Sequence, residues 1–129
     1  AELSVRPTEQ EAAAPSPEAQ ALLEAMAGGE SPAVTQVLVG FENGKMTREK
    51  LQQVLRECRE GSLQALRLRC GAPPETLCAD GVGPLSRRLT KKQLMRLCEM
   101  LGKFAQECEW NVAVGQVLGA VAAEWEDIL

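Results

Sequence analysis

The 129-residue chain contains no histidine and no tyrosine. Without an imidazole it cannot build a Ser-His-Asp or Cys-His catalytic arrangement, nor a zinc site that needs a histidine ligand. Only two aspartates are present, Asp80 and Asp127, and the glutamates are scattered along helical segments rather than paired in an apolar setting. We therefore expect a protein that is not an enzyme and that has no catalytic residue, metal site or cofactor.

The chain also lacks a long apolar run and a large net charge. Its longest apolar stretch, residues 112–123, is too short for a bilayer, which needs a helix of about 20 residues. The net charge of −4 argues against broad electrostatic binding to nucleic acid or to an anionic membrane. The first residues lack the basic-then-apolar order of a secretion signal. We expect a cytoplasmic protein with no membrane span.

Five cysteines are present in an odd, irregularly spaced set without a CxxC pair, at positions 58, 70, 78, 98 and 108. This usage is typical of a reducing intracellular compartment, in which cysteine packs as a small apolar residue. The alternative is a cysteine-thiol redox protein, with Cys78 as the most exposed candidate. Its neighbour Asp80 counts against reactivity, because an acidic neighbour raises a thiol pKa.

The residues that are abundant favour helices. The chain has 17 leucines and 17 alanines but a single isoleucine, a composition that forms helices readily and strands poorly. Capping residues precede apolar stripes of helical spacing at Ser16-Pro17, Ser31-Pro32, Thr47 and Thr90, and Asn111 is a further predicted cap. The sequence predicts an all-α fold, a single compact bundle of five to six helices.

Two segments stand apart from the predicted bundle of residues 16–129. Residues 1–15 are polar and without periodicity, so we expect a disordered N-terminal arm. Residues 71–84 hold three glycines and three prolines and form one long loop, interrupted at most by a turn at 74–79. Long connections in compact domains are often functional, so this loop, with Leu77 as its apolar residue, is a candidate for partner contact.

The C-terminal segment supplies the other candidate partner-binding residues. Gly115 and Gly119 lie four apart, so they share one side of a helix and allow another backbone to approach. That approach is either packing against the 91–108 helix or a subunit interface. The same segment carries an apolar stripe rimmed by acids, which either closes the core or docks in a groove of a partner, made of Val121, Trp125, Ile128 and Leu129.

Five cations surround the predicted start of one helix: Arg87, Arg88, Lys91, Lys92 and Arg96. Cations at this end oppose the helix dipole, so an anion-binding role is a candidate explanation. No aromatic residue is interleaved for base stacking, and a solvated surface or an acidic protein partner explains the patch equally well.

Together these patterns predict a non-enzymatic protein-protein interaction module, an adaptor, chaperone-like or assembly subunit. Its partner is another protein, bound by helix-in-groove or helix-helix packing, or a second copy of the chain. Two alternatives stay open: an accessory nucleic-acid contact through the basic residues 87–96 within a larger assembly, and the cysteine-thiol redox protein.

Overall fold

The computed structural model describes residues 15–28, 31–71, 81–110 and 112–129, and all regular secondary structure within these ranges is helical. Six helices follow one another along the chain: α1 (Pro17–Gly28), α2 (Ser31–Asn43), α3 (Arg48–Arg69), α4 (Val82–Arg88), α5 (Lys91–Glu107) and α6 (Val114–Ile128). The predicted all-α bundle is confirmed. The predicted arm, except Pro15, and residues 72–80 of the predicted loop, with Leu77 and Cys78, lie outside the described residues.

Three helix starts are capped as the sequence predicts. The Ser16 hydroxyl accepts a hydrogen bond from the backbone N–H of Ala19 (3.3 Å), and the Thr47 hydroxyl accepts one from Lys50 (3.1 Å). Thr90 and Gln93 form a full capping box: each side chain accepts a hydrogen bond from the other residue's backbone N–H, at 3.1 and 2.9 Å. Each cap satisfies N–H groups that a helix start otherwise leaves without partners.

Gly61 does not break α3, although a glycine in a helix interior allows a bend or a restart. The helix continues through it, and the reason is packing: a Cβ at position 61 would lie 2.8 Å from Cδ1 of Leu23. Gly61 thus lets α1 approach α3 closely, and the Leu23 side chain is fully buried there.

The structure corrects the sequence analysis at two helix starts. The short α4 begins at Val82, inside the predicted 71–84 loop; Pro84 occupies its first turn, where a missing N–H has no cost, and Val82 and Leu85 are fully buried. Helix α6 begins two residues later than an Asn111 cap would place it, after Ala113, which makes no side-chain capping bond. Asn111 itself lies outside the described residues.

Five helices pack in a closed ring, in the order α1, α2, α6, α5 and α3, and α4 covers α1 and α3. Helices α3 and α5 are antiparallel, because Gln52 near the start of α3 donates a 2.9 Å hydrogen bond to the carbonyl of Ala105 near the end of α5. Every helix contributes to one core, whose largest fully buried side chains include Trp125, Leu22, Met26, Leu55, Leu94 and Leu101. Among the described helices, none has the length and apolarity to cross a membrane.

Candidate functional site

The apolar stripe of α6 faces the core. Val121 and Trp125 are almost completely buried and Ile128 is 4% exposed, whereas Leu129 at the end of the helix is 45% exposed. The indole N–H of Trp125 has no acceptor among the described residues. Three of the four stripe residues are therefore covered by the chain's own helices, and only Leu129 is open to a partner.

The two glycines of α6 lie on its other side, along a shallow groove of about 130 Å³. We call this the α2/α6 groove. One wall is formed by α2 and the other by α6, and the lining residues are Thr35, Leu38, Val39, Glu42, Gly115, Leu118, Gly119 and Ala122. Pockets that hold drug-sized ligands are usually about 300–1,000 Å³, so this groove suits a side chain or a helix edge better than a small molecule.

Gly115 and Gly119 have different surroundings within this groove. A Cβ at Gly115 would meet the carboxylate of Glu42, the mobile end of an exposed side chain on α2. At Gly119 a Cβ would meet nothing within 4 Å, and the residue is exposed. Of the two sequence-based alternatives for these glycines, packing on the 91–108 helix is not met, because Gly115 faces α2 and Gly119 faces open space; a subunit interface stays a prediction.

Residues of α2 complete the groove, and the sequence analysis did not single them out. Val39 is 47% exposed on the wall opposite Gly119, and the exposed carboxylate of Glu42 forms no ion pair with any described residue. A signal for Val39 was present, because α2 carries more large apolar residues than one buried face can hold: Val34, Val37, Leu38, Val39 and Phe41. The surplus residue is the exposed one.

Four large apolar side chains are exposed among the described residues: Val39, Met95, Trp110 and Leu129. Trp110 is the most open, at 65%, in the turn between α5 and α6, where its carbonyl accepts a hydrogen bond from Arg48 (3.1 Å). Of the four, Val39 alone lines the α2/α6 groove.

The five cations of residues 87–96 lie at one end of the bundle, and two of them contact helix ends. Arg88 donates to the carbonyl of Met26 in the last turn of α1 (3.3 Å). Arg96 donates to the carboxylate of Asp127 in the last turn of α6 (2.9 Å). Cations are favourable at helix C-termini, so these two arginines have a structural role. Arg87, Lys91 and Lys92 are exposed, and anion binding by this patch stays a prediction.

The acids at the end of α6 are matched by cations of α5. Besides the Arg96–Asp127 pair, Lys103 and Glu124 form an ion pair at 3.0 Å. Gln93 donates to the carbonyl of Ile128 at 3.1 Å, which satisfies a further group at the end of α6. The acidic residues that rim the end of α6 are thus largely paired with side chains of α5, rather than left for a basic partner.

The described cysteines are free, and three of the four are buried. Burial raises the pKa of the Cys98 thiol to about 11 and also raises the pKa of Cys58 and Cys108. These groups stay protonated near neutral pH, where only a thiolate is a good nucleophile. Cys70 is exposed. In the part of the chain that the structure describes, no three potential metal-ligating acids or cysteines come together.

Comparison of this chain with protein families, with curated proteins and with solved structures gives no match.

Proposed function

We propose that the chain is a non-enzymatic protein-binding module, an adaptor or assembly subunit, whose α2/α6 groove receives a helix of another protein. The observation that carries the proposal is the position of the open Gly119 in the α2/α6 groove, which the exposed Val39 also lines; Gly40 is equally open but lies outside the groove. A glycine in a helix interior costs about 1 kcal/mol relative to alanine, and no contact within the described fold offsets that cost, since its Cβ position is open. A partner backbone that approaches α6 there would offset it.

The opposite wall of the groove supports this proposal. Val39 presents an apolar side chain that its own fold leaves 47% exposed, and apolar surface gains about 25 cal/mol per Å² when it is removed from water. A helix seated between Val39 and Gly119 would cover both. Such a helix needs a small or aliphatic side facing α6.

Glu42 defines the charge that the partner carries. Its carboxylate lies against Gly115 at one end of the groove and forms no ion pair with a described residue. A lysine or arginine of the partner helix would meet it, and a charge at the rim orients the partner more than it adds affinity. The partner is therefore a helix with an apolar side and a basic residue near one end.

Affinity capture from the native cells, with Gly119→Leu and Gly40→Leu as matched variants, tests this function. Both glycines lie in helices, and neither Cβ position has an atom within 4 Å, but Gly40 does not line the groove. Both variants should fold, as circular dichroism would show. We expect Gly119→Leu to lose a protein that wild type and Gly40→Leu capture; equal capture by all three would refute the function.

Leu129 and Leu77 stay predictions as partner contacts. Leu129 is exposed at the end of α6, and Leu77 lies outside the described residues. Leu129→Ala, added to the same capture experiment, would show whether the contact extends beyond the groove.

A further inference from the structure

Two of the four exposed large apolar side chains lie at the same end of the bundle as the cations of residues 87–96. Met95 is 55% exposed at the beginning of the second turn of α5, and Leu129 is 45% exposed at the end of α6. The end of α6 lies against the start of α5, because Gln93 donates a hydrogen bond to the carbonyl of Ile128 (3.1 Å). Apolar and cationic side chains are therefore exposed side by side at this end.

The structure adds two arginines of α3 to these cations. Arg67 and Arg69 lie in the last turn of α3, which ends beside the start of α5, because the two helices pack together and are antiparallel. The sequence analysis did not connect these arginines with the later basic residues. We call the combined set the cationic end. Besides Arg88 and Arg96, which contact helix ends, its exposed cations are Arg67, Arg69, Arg87, Lys91 and Lys92.

Most of these five cations have no counter-charge within the described chain. Arg67 approaches Glu60 only to 4.0 Å. Of the two acids in the last turn of α6, Asp127 is paired with Arg96, and Glu126 also interacts within the chain. The remaining four cations form no hydrogen bond or ion pair with a described residue: Arg69, Arg87, Lys91 and Lys92.

The charges of the chain are separated along the bundle, although its net charge is −4. The 17 residues of α5 span about 25 Å at the usual helical rise. The exposed acids Glu42, Glu49 and Glu109 lie at the far end, well beyond the Debye length of about 8 Å at physiological salt. Of the acids between α3 and α4, Glu75 and Asp80 lie outside the described residues. An anion near the cationic end is thus attracted locally, while the distant acids are screened.

Met95 lies among these cations. Lys91 and Lys92 precede it by four and three positions, so all three residues share the outer side of α5. The sugar-phosphate backbone of a nucleic acid would leave Met95 uncovered, and the described residues of this end expose no aromatic ring for base stacking. An anionic bilayer offers both kinds of contact, because its charged headgroups lie directly above an apolar layer.

We propose that the cationic end binds the surface of an anionic lipid bilayer, with its cations on the headgroups and with Met95 and Leu129 inserted below them. The evidence for a bilayer, rather than an acidic protein, is the distribution of these groups over the ends of α3, α4, α5 and α6. A lipid surface supplies mobile anions to all of them without a matching set of fixed acids. Charge attraction and apolar insertion together give reversible attachment. The proposal is independent of the α2/α6 groove.

Co-sedimentation with vesicles tests this proposal. The probe is equimolar phosphatidylserine and phosphatidylcholine, with phosphatidylcholine alone for comparison, at about 0.1 M salt. We expect binding to the anionic vesicles only, and weaker binding as salt is added. Lys92→Glu should weaken it roughly 10- to 30-fold, since each cation near an anionic surface contributes a factor of about 5. This variant should fold, because an acid is favourable in the first turn of a helix.

Lys45→Glu is the matched control for charge. Lys45 is exposed in the turn between α2 and α3, at the far end of the bundle, and the substitution changes the net charge equally. Its vesicle binding should equal that of wild type. Equal binding by the two charge variants, or no binding of wild type to the anionic vesicles, would overturn the proposal.

Met95→Ala tests insertion into the apolar layer. We expect vesicle binding to fall about 5-fold, whereas retention on heparin, a polyanion without an apolar layer, should not change. Vesicle binding equal to that of wild type would overturn insertion. Retention of wild type on heparin or polyglutamate without binding to vesicles would assign the cationic end to another polyanion and overturn the bilayer. Gly119→Leu should bind vesicles like wild type, so failure of the α2/α6 groove leaves this test unaffected.

Discussion

The two sides of α6 show how one helix divides its residues between folding and exposure. On the inner side, Val121 and Trp125 are covered by the other helices, whereas on the outer side a Cβ at Gly119 would have no atom within 4 Å. Large apolar residues are buried because each contributes about 1.5–3 kcal/mol when removed from water. Small residues on the other side leave a groove. The sequence pattern made both sides of α6 candidates for partner binding. In the structure the inner side is buried, so only the outer side is open to a partner.

The inner side should give the largest effect when it is truncated. We expect Trp125→Ala to lower the free energy of unfolding by about 3–5 kcal/mol, because it leaves a cavity in the core. Urea denaturation would measure the loss. Trp125→Phe is the control: it retains most of the apolar volume and removes an N–H that has no acceptor among the described residues, so its loss should be clearly smaller. Equal losses would contradict a packing role.

Substitution of Gly61 and of Gly119 by alanine should change the free energy of unfolding in opposite directions, because Gly61 lies on a covered helix surface and Gly119 on an open one. Gly61→Ala places a Cβ 2.8 Å from Leu23, so we expect the free energy of unfolding to fall by about 1–3 kcal/mol. Gly119→Ala meets open space and should raise it by about 1 kcal/mol through helix propensity. Thermal or urea unfolding of both variants checks the opposite signs. A loss at Gly119 would mean that the groove is filled within the chain.

A half-buried polar contact should contribute more to the free energy of unfolding than the exposed ion pairs beside α6. The Glu57 carboxylate accepts hydrogen bonds from the backbone N–H (3.1 Å) and the hydroxyl (2.7 Å) of Ser16, which link the start of α1 to α3. Burial raises the pKa of Glu57, but the hydrogen bonds from Ser16 and Gln53 and the charge of Lys50 outweigh it and hold this pKa below its usual value. A depressed pKa means that the contact stabilises the fold above the unfolded-state pKa and is lost as pH falls through the folded-state pKa.

We therefore expect Ser16→Ala to lower the free energy of unfolding by about 1–2 kcal/mol near neutral pH, since it removes a helix cap and a hydrogen bond. The difference from wild type should shrink as the pH falls through the lowered pKa of Glu57 and its carboxylate becomes protonated. Urea unfolding of both proteins at several pH values measures this difference in the free energy of unfolding. Glu57→Gln should flatten the same pH dependence, and a pH-independent difference for Ser16→Ala would show that only the cap contributes.

The smallest effect should come from the exposed ion pairs that join α6 to α5. Arg96 and Asp127 contact each other at 2.9 Å, but both side chains are largely exposed. We expect Arg96→Ala to cost less than about 1 kcal/mol of unfolding free energy, and added salt should reduce the cost further. Lys92→Ala, at an exposed position without an ion pair to the described residues, should cost nothing measurable. A salt-independent loss at Arg96 would point instead to packing of its stem.

Local chemistry explains what the sequence predicted well. The caps at Ser16, Thr47 and Thr90 depend on residues within three positions, so their helix starts could be located without the fold. The start of α4 was missed because Gly81, Gly83 and Pro84 are typical of loops, whereas burial of Val82 and Leu85 in the core depends on contacts between distant residues.

Contacts between distant residues could not be predicted in the same way. The apolar stripe indicates that Trp125 is buried against another surface. It does not show whether that surface belongs to this chain or to a partner. The pairing of Gly115 with Glu42 joins helices that are far apart in sequence, so the α2 wall of the groove was not anticipated. The same limit applies to the arginines 88 and 96, which contact the ends of α1 and α6.

Site-specific photo-crosslinking in the native cells tests most directly whether the open side of α6 faces a partner. A photoreactive residue in place of Val39 would lie in the α2/α6 groove, and one in place of Gln36 would be exposed on the same helix outside it. We predict one discrete crosslinked protein from position 39 that is absent from position 36 and is lost when Gly119→Leu is added. Identical crosslinks at both positions, or none at position 39, would contradict the proposal that this groove binds a protein.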